Sequence, residues 1–307
     1  MIEIARILCP VDFCEASERA LEYATATARW YGSRLDVLYV QQEVPVVGMI
    51  PSLVASPATQ IATRSVENAR LHTMAAGMVQ RVVDAGVPVD LAVRDARDVG
   101  RAILDQALDR DIDLIVMGSH GRTGLQRLFL GSVAEKIIRQ ASCPVLIVPP
   151  LSDNAAPVGD VGFDSILCAV DFSMGSRAAL EYAISLAEEA DAHLTILNVI
   201  EVPPELQAHS GAAPFNVDAM HAEAEARALE QLRQLIPASV REYCHLHTAV
   251  AEGSAYRVIV RSAHERRCDL IVMGVQGRGA VDRFVFGSNT DRVIRAASCP
   301  VLTVPAG

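Results

Sequence analysis

Four short apolar runs, Leu114–Met117, Val145–Val148, Leu270–Met273 and Val301–Val304, show none of the in-and-out alternation of a sheet with one wet face. They read as strands buried on both sides, the pattern of a parallel sheet covered by helices. Between these and earlier strand-like runs lie stretches with apolar residues three and four apart, the period of a half-buried helix. The first half is expected to contain strand Ile4–Val11, helix Ser17–Tyr31, strand Leu35–Gln41, helix Gln60–Ala85 and strand Val87–Val93. Helix Val99–Arg110, strand Leu114–Met117, helix Val133–Gln140 and strand Val145–Val148 complete it. Within the long helix, Ala69, Thr73, Ala76 and Val83 have the spacing of a core-facing stripe. Strands alternating with helices imply right-handed crossovers, so the fold class is α/β with doubly wound, largely parallel sheets.

The pattern is written twice. Ile7-Leu8-Cys9 and Val11-Asp12-Phe13 return as Ile166-Leu167-Cys168 and Val170-Asp171-Phe172, and Asp113–Gly118 returns as Asp269–Gly274. The aspartates Asp12 and Asp171 are 159 residues apart and the glycines 156, so the second copy is three residues shorter somewhere between them. A period this long means a duplicated domain, not a solenoid. The stretch Leu151–Gly162, rich in chain breakers, is the expected linker, which leaves domains 1–150 and 163–307. The second domain is expected to run strand Ile166–Val170, helix Arg177–Ala190, strand Leu194–Val199, helix Val217–Leu235 and strand Cys244–Val250. Helix Ala255–Arg266, strand Leu270–Met273, helix Asn289–Ala297 and strand Val301–Val304 follow.

Composition narrows the partners. A chain of 307 residues, 51% hydrophobic and 21% charged, can bury two ordinary cores. A net charge of −10 opposes non-specific attraction to nucleic acid and to anionic lipid. No apolar run approaches membrane-spanning length and the first residues lack a secretory pattern, so the reading is a cytoplasmic protein with neither nucleic acid nor membrane as partner. The seven cysteines form no Cys-x-x-Cys pair, and four of them recur at equivalent repeat positions beside strands, as small buried hydrophobes do.

The chemistry concentrates in Gly118–Ser132 and its copy Gly274–Ser288, each joining a strand end to a helix start. Glycines let backbone amides approach an anion, and the helix that follows offers free N–H groups and a favourable dipole. Ligands in doubly wound sheets sit beyond the carboxyl ends of strands, where Asp12 and Asp171 also lie. Capping alone would account for part of this, since Ser132 with Glu135 and Ser288 with Asp291 have capping-box spacing. Known phosphate motifs are absent: Lys136, the one lysine, follows Glu135 and makes no Walker A loop, and no Gly-x-Gly-x-x-Gly follows the first strand. Positive charge near a phosphate would come from Arg122, Arg127, Arg278 or Arg283.

The spacing Gly-x-x-Gly-x9-Gly-Ser, filled by Gly118, Gly121, Gly131 and Ser132 and again by Gly274, Gly277, Gly287 and Ser288, resembles the ATP-binding signature of universal stress proteins. The openings Ile-Leu-Cys-Pro-Val-Asp-Phe and Ile-Leu-Cys-Ala-Val-Asp-Phe and the closings around Cys-Pro-Val-Leu are similar to that family too, and the likeness spans both halves. The resemblance implies two tandem Rossmann-like sheets of strand order 3-2-1-4-5. It implies ATP with adenine near Asp12 and Asp171, and backbone contacts from Val40 and Val199. Phosphates would lie along Gly118, Gly121, Arg122, Gly131, Ser132 and Val133, and along Gly274, Gly277, Gly287, Ser288 and Asn289, carrying any magnesium or manganese themselves. It further implies pairing of the last strands, Val145–Val148 and Val301–Val304, as an internal pseudo-dimer, with a homodimer of whole chains as a further arrangement.

The copies differ at Cys14 against Ser173, Ser119-His120 against Val275-Gln276, and Val133-Ala134 against Asn289-Thr290. The expected role is a nucleotide-dependent stress-response or signalling module. The alternatives are a slow ATP hydrolase or a nucleotide-free scaffold using the insertions Pro45–Pro57 and Pro203–Pro214. Ser119-His120 is the only adjacent Ser-His pair in a glycine loop, but it lacks a nucleophile-elbow context and its copy has neither residue. His245 and His247 share a strand face without further metal ligands in view.

Overall fold

A computed structural model describes residues 2–42, 70, 73–121, 130–150, 162–201, 217–237, 240, 245–277 and 287–306. The first half runs β1 (Arg6–Val11), α1 (Glu15–Tyr31), β2 (Arg34–Gln42), α2 (73–84), β3 (Val89–Ala96), α3 (Val99–Asp109), β4 (Leu114–Gly118), α4 (Ser132–Gln140) and β5 (Val145–Val148). The second repeats the order as β6 (Ser165–Ala169), α5 (Met174–Ala190), β7 (His193–Ile200), α6 (Val217–Leu235), β8 (Leu246–Glu252), α7 (Ala255–Glu265), β9 (Leu270–Gly274), α8 (Ser288–Ala296) and β10 (Val301–Val304). The expected linker, apart from Gly162, and both proline-containing insertions lie outside the described residues.

The ten strands make one sheet in the order β3-β2-β1-β4-β5-β10-β9-β6-β7-β8. Pairing within each half is parallel, while β5 meets β10 antiparallel, with Leu146 opposite Leu302. Strand alternation feeds two cores. From β4, Leu114 and Val116 turn to the face covered by α1, α2, α5 and α6, and Ile115 and Met117 to the face covered by α3, α4, α7 and α8. Apolar runs without alternation are therefore what two covered faces demand. Burial of one such side chain stabilises by about 1.5–3 kcal/mol.

Both cores continue from one half into the other. Phe163, just past the linker, packs with Tyr23 and Trp30 of α1 at ring distances of 6.0 and 5.2 Å. Tyr31 shares a 3.1 Å hydrogen bond with Ser185, and the buried Thr303 hydroxyl donates to the Val145 carbonyl at 3.1 Å.

The expected stripe on α2 is corrected. Thr73, Ala76 and Val83 are exposed, and Ala75, Met78 and Val82 are buried against the sheet; Ala69 lies outside the described residues. Alanines and a threonine carry too little apolar surface to choose a helix face, whereas Met78 four residues before Val82 gives one face a large buried patch.

Candidate functional site

Each first strand runs into a strained turn. Phe13 and Phe172, directly after the aspartates, adopt left-handed backbone with φ of 62° and 67°, a conformation costing a non-glycine residue roughly 1–2 kcal/mol. Asp12 Oδ1 accepts from the Cys14 amide at 3.1 Å and Asp171 Oδ1 from the Ser173 amide at 3.0 Å, side-chain turns that offset the strain. The aspartate amides in turn donate to Ser17 and Ser176, each at 3.3 Å. These phenylalanines escaped the sequence reading; the available signal was an Asp-Phe pair, twice present, with a serine five residues after each aspartate.

Because β1 lies beside β4, and β6 beside β9, each aspartate faces the start of a glycine loop. A Cβ added to Gly121 would stand 2.8 Å from Asp12 Oδ2, and one on Gly277 2.9 Å from Asp171 Oδ2. Real Cβ atoms do not come that close, so glycine is what lets the carboxylate pack on the loop backbone. The far end of each loop returns to the strand: the Gly131 amide donates to Ser119 O at 2.9 Å and the Gly287 amide to Val275 O at 3.1 Å. Arg122, Arg127, Arg278 and Arg283 lie outside the described residues.

The helix starts correct the capping-box expectation. Gly131 and Gly287 occupy the N-cap position, with extended backbone and no side-chain cap, and Ser132 and Ser288 are the first helical residues, both exposed. A capping box needs the serine itself in extended conformation, which the preceding glycine has taken. Glu135 and Asp291 pair instead with Arg139 at 2.9 Å and Arg295 at 2.8 Å. A glycine cap has no side chain to cover the first-turn N–H groups, which leaves them for another acceptor.

In the second half a cavity of about 910 Å³ is lined by Asp171, Val199, Gly274, Gly277, Gly287, Ser288 and Asn289, so all seven residues singled out there share one space. Glu201 adds a carboxylate at its edge, accepting the α7 amide of Ala255 at 3.0 Å and approached by Asn289 Nδ2 at 3.5 Å. In the first half the structure brings Asp12 to Gly121, Gly118 to the backbone of Ala16, and Gly131 to Ser119. Val40 sits at the end of β2, paired with Arg94, and Val133 is half-buried at the start of α4.

A profile of the universal stress protein family matches residues 3–149 and again residues 162–305. The chain belongs to the universal stress protein family. It carries two copies of the family's domain in tandem. A universal stress protein of Methanocaldococcus jannaschii is 31% identical over 147 residues, covering 48% of this chain and 84% of the relative. One of Mycobacterium tuberculosis is 27% identical over 207 residues, covering 64% and 62%. Among solved structures, a universal stress protein from Archaeoglobus fulgidus aligns with a TM-score of 0.65 at 23% identity, covering 99% of this chain and 97% of that one, which shows the shared fold.

The two glycine loops of this universal stress protein differ electrostatically. Ser119 is only 3% exposed, and its hydroxyl lies 2.8 Å from His120 Nδ1, while His120 Nε2 is buried without a hydrogen-bond partner among the described residues. Burial, and then the positive charge of Arg295 from the other half, hold the His120 imidazole below its usual range. The second half has Val275 and Gln276 at these places and so carries no Ser-His pair. Burial pushes the thiols of Cys143 and Cys299 up to about 12 and those of Cys9 and Cys168 further, so these are packing residues. His245 packs at a tilt against His193 with ring centroids 4.7 Å apart, and the described residues contain no group of three side chains suited to a metal ion.

Proposed function

We propose that this tandem universal stress protein binds adenine nucleotide, specifically ATP, and works as a nucleotide-dependent stress-response or signalling module, not as a fast enzyme. The carrying observation is the doubled contact of an aspartate oxygen with a loop glycine, Asp12 with Gly121 and Asp171 with Gly277, beside a helix whose N-cap is a glycine. An aspartate supplies acceptors for the hydroxyl and amino donors of a nucleoside, and the uncapped helix start supplies donors for its phosphates. A cavity of about 910 Å³ accommodates a ligand of that size. The phosphates would carry any magnesium or manganese ion.

In this reading domains 1–150 and 163–307, joined by linker 151–162, form an internal pseudo-dimer through β5 and β10. Asp12, Val40, Gly118, Gly121, Arg122, Gly131, Ser132 and Val133 serve the first site. Asp171, Val199, Gly274, Gly277, Gly287, Ser288 and Asn289 serve the second. Mass spectrometry of ligand released from freshly purified protein, with titration of labelled ATP, tests it. Adenine nucleotide at one or two per chain is expected, and purified protein that neither carries nor binds it sinks the proposal. Ligand at a hundredfold over its Kd should stabilise the fold by about 2.7 kcal/mol, visible as a rise in Tm.

A further inference from the structure

The second-half cavity does not stop at the strand ends. It extends between β7 and α6, past Phe172 and Asn198 on one side and Ala224, Ala228 and Gln231 on the other. Asn198 is 6% exposed, and its Nδ2 donates to the carbonyl of Val170, the residue before Asp171, at 2.7 Å. A buried amide needs partners at both ends. With the nitrogen committed to the strand end, the oxygen is the group left for whatever fills the cavity, close to the Asp171 turn. The matching position of the first half is Tyr39, whose ring packs on Phe13 at 4.9 Å and offers no amide.

Resting on the nucleotide reading above, we infer that Asn198 is a specificity-determining residue of the second site. Its amide oxygen accepts a hydrogen bond from the exocyclic amino group of a bound purine. The second site thereby selects the amino-bearing base over its keto analogue, hypoxanthine. The keto analogue would bring an acceptor against an acceptor in a buried place, and a buried group left unpaired is what gives a polar site its discrimination. The first site, with Tyr39, lacks this device.

The test is calorimetric titration of the full chain with ATP and separately with ITP, in wild type and in Asn198→Leu, which keeps the shape and removes the amide. Wild type is expected to show one class of site that prefers ATP over ITP by about tenfold or more. In the variant the ATP preference of that class should fall at least about threefold below the wild-type ratio. Loss of packing alone would weaken both nucleotides together and leave their ratio unchanged, so the ratio is the deciding quantity. If Asn198→Leu melts at assay temperature, Asn198→Ser replaces it in the same comparison. A ratio that survives the substitution, or a wild type without preference, overturns the inference while the nucleotide reading stands. Wild type that binds neither nucleotide overturns both.

Discussion

At the start of α1 stands Cys14, whose Sγ lies 3.8 Å from the His120 carbonyl; at the start of α5 stands Ser173, whose hydroxyl donates to Asp171 Oδ1 at 2.6 Å and accepts from the Ser176 amide at 3.2 Å. One half closes its turn with a soft, weakly bonding thiol, the other with a cap wired to the aspartate. Further along the contrast reverses. Asp98 caps α3 and pairs with Lys136 at 2.5 Å, whereas Ser254, at the matching place, makes no side-chain cap and Glu201 takes the Ala255 amide instead. Tyr39 packs at a tilt on Phe13 where Asn198 holds a carbonyl. Across all these exchanges the backbone features stay: the left-handed phenylalanine, the aspartate against the second glycine, the glycine N-cap. What duplication has kept is geometry, and what it has varied is the chemistry hung on it.

The contrast can be broken most severely at the strand-end glycines. A Cβ on Gly274 would stand 2.7 Å from the Gly175 backbone carbon, and one on Gly118 3.0 Å from that of Ala16. Gly274→Ala should therefore cost about 3 kcal/mol and Gly118→Ala about 1–2 kcal/mol in denaturant unfolding, because backbone cannot step aside as a side chain can. Equal losses would mean the two helices approach their strands alike.

Asp269 gives the next effect. Burial raises its pKa from 3.8 to about 6, although the amides of Asp164 and Ser165 donate to it. The folded state thus binds the proton more tightly than the unfolded chain, so this group adds stability as pH falls from about 6 towards 4 and withdraws it as pH rises. Thermal melts of wild type and Asp269→Asn across that window should show wild type gaining on the variant toward acid. A constant gap would remove the assignment.

Smaller again is the turn itself. Ser173→Ala should lose about 1 kcal/mol, the usual worth of an N-cap, and Cys14→Ala less than about 0.5 kcal/mol. The reverse order would show that the thiol, not the hydroxyl, anchors its turn. Smallest is His120, whose pKa is lowered from 6.5 by burial and by Arg295. A base with a depressed folded pKa loses stability as pH drops below its unfolded value. His120→Gln, which borrows the second half's Gln276, should flatten the decline of Tm below about pH 6.5.

Much of this was legible from residue order. Apolar runs without alternation announced strands covered on both faces, and the aspartate and glycine spacings pick out residues that line the second-half cavity. Element ends shifted by a few residues, as with β3 ending at Ala96 and not Val93, because strand length depends on the partner it pairs with. The capping boxes were misread since spacing alone does not say which of two adjacent residues, Gly131 or Ser132, takes the extended conformation. The stripe on α2 was misread since small residues weigh equally on neighbouring faces.

The sequence by itself determined the alternation of helices and strands, the duplication and the glycine positions, because these rest on local periodicity and on residues with distinctive backbone freedom. The tertiary structure alone decided that Asn198 would be buried with its nitrogen on the Val170 carbonyl, and that Thr303 would be buried with its hydroxyl on the Val145 carbonyl of the other half. Each of these depends on which distant backbone group lies within about 3 Å of a given atom, and hydrogen bonding and burial act on that distance, not on separation along the chain.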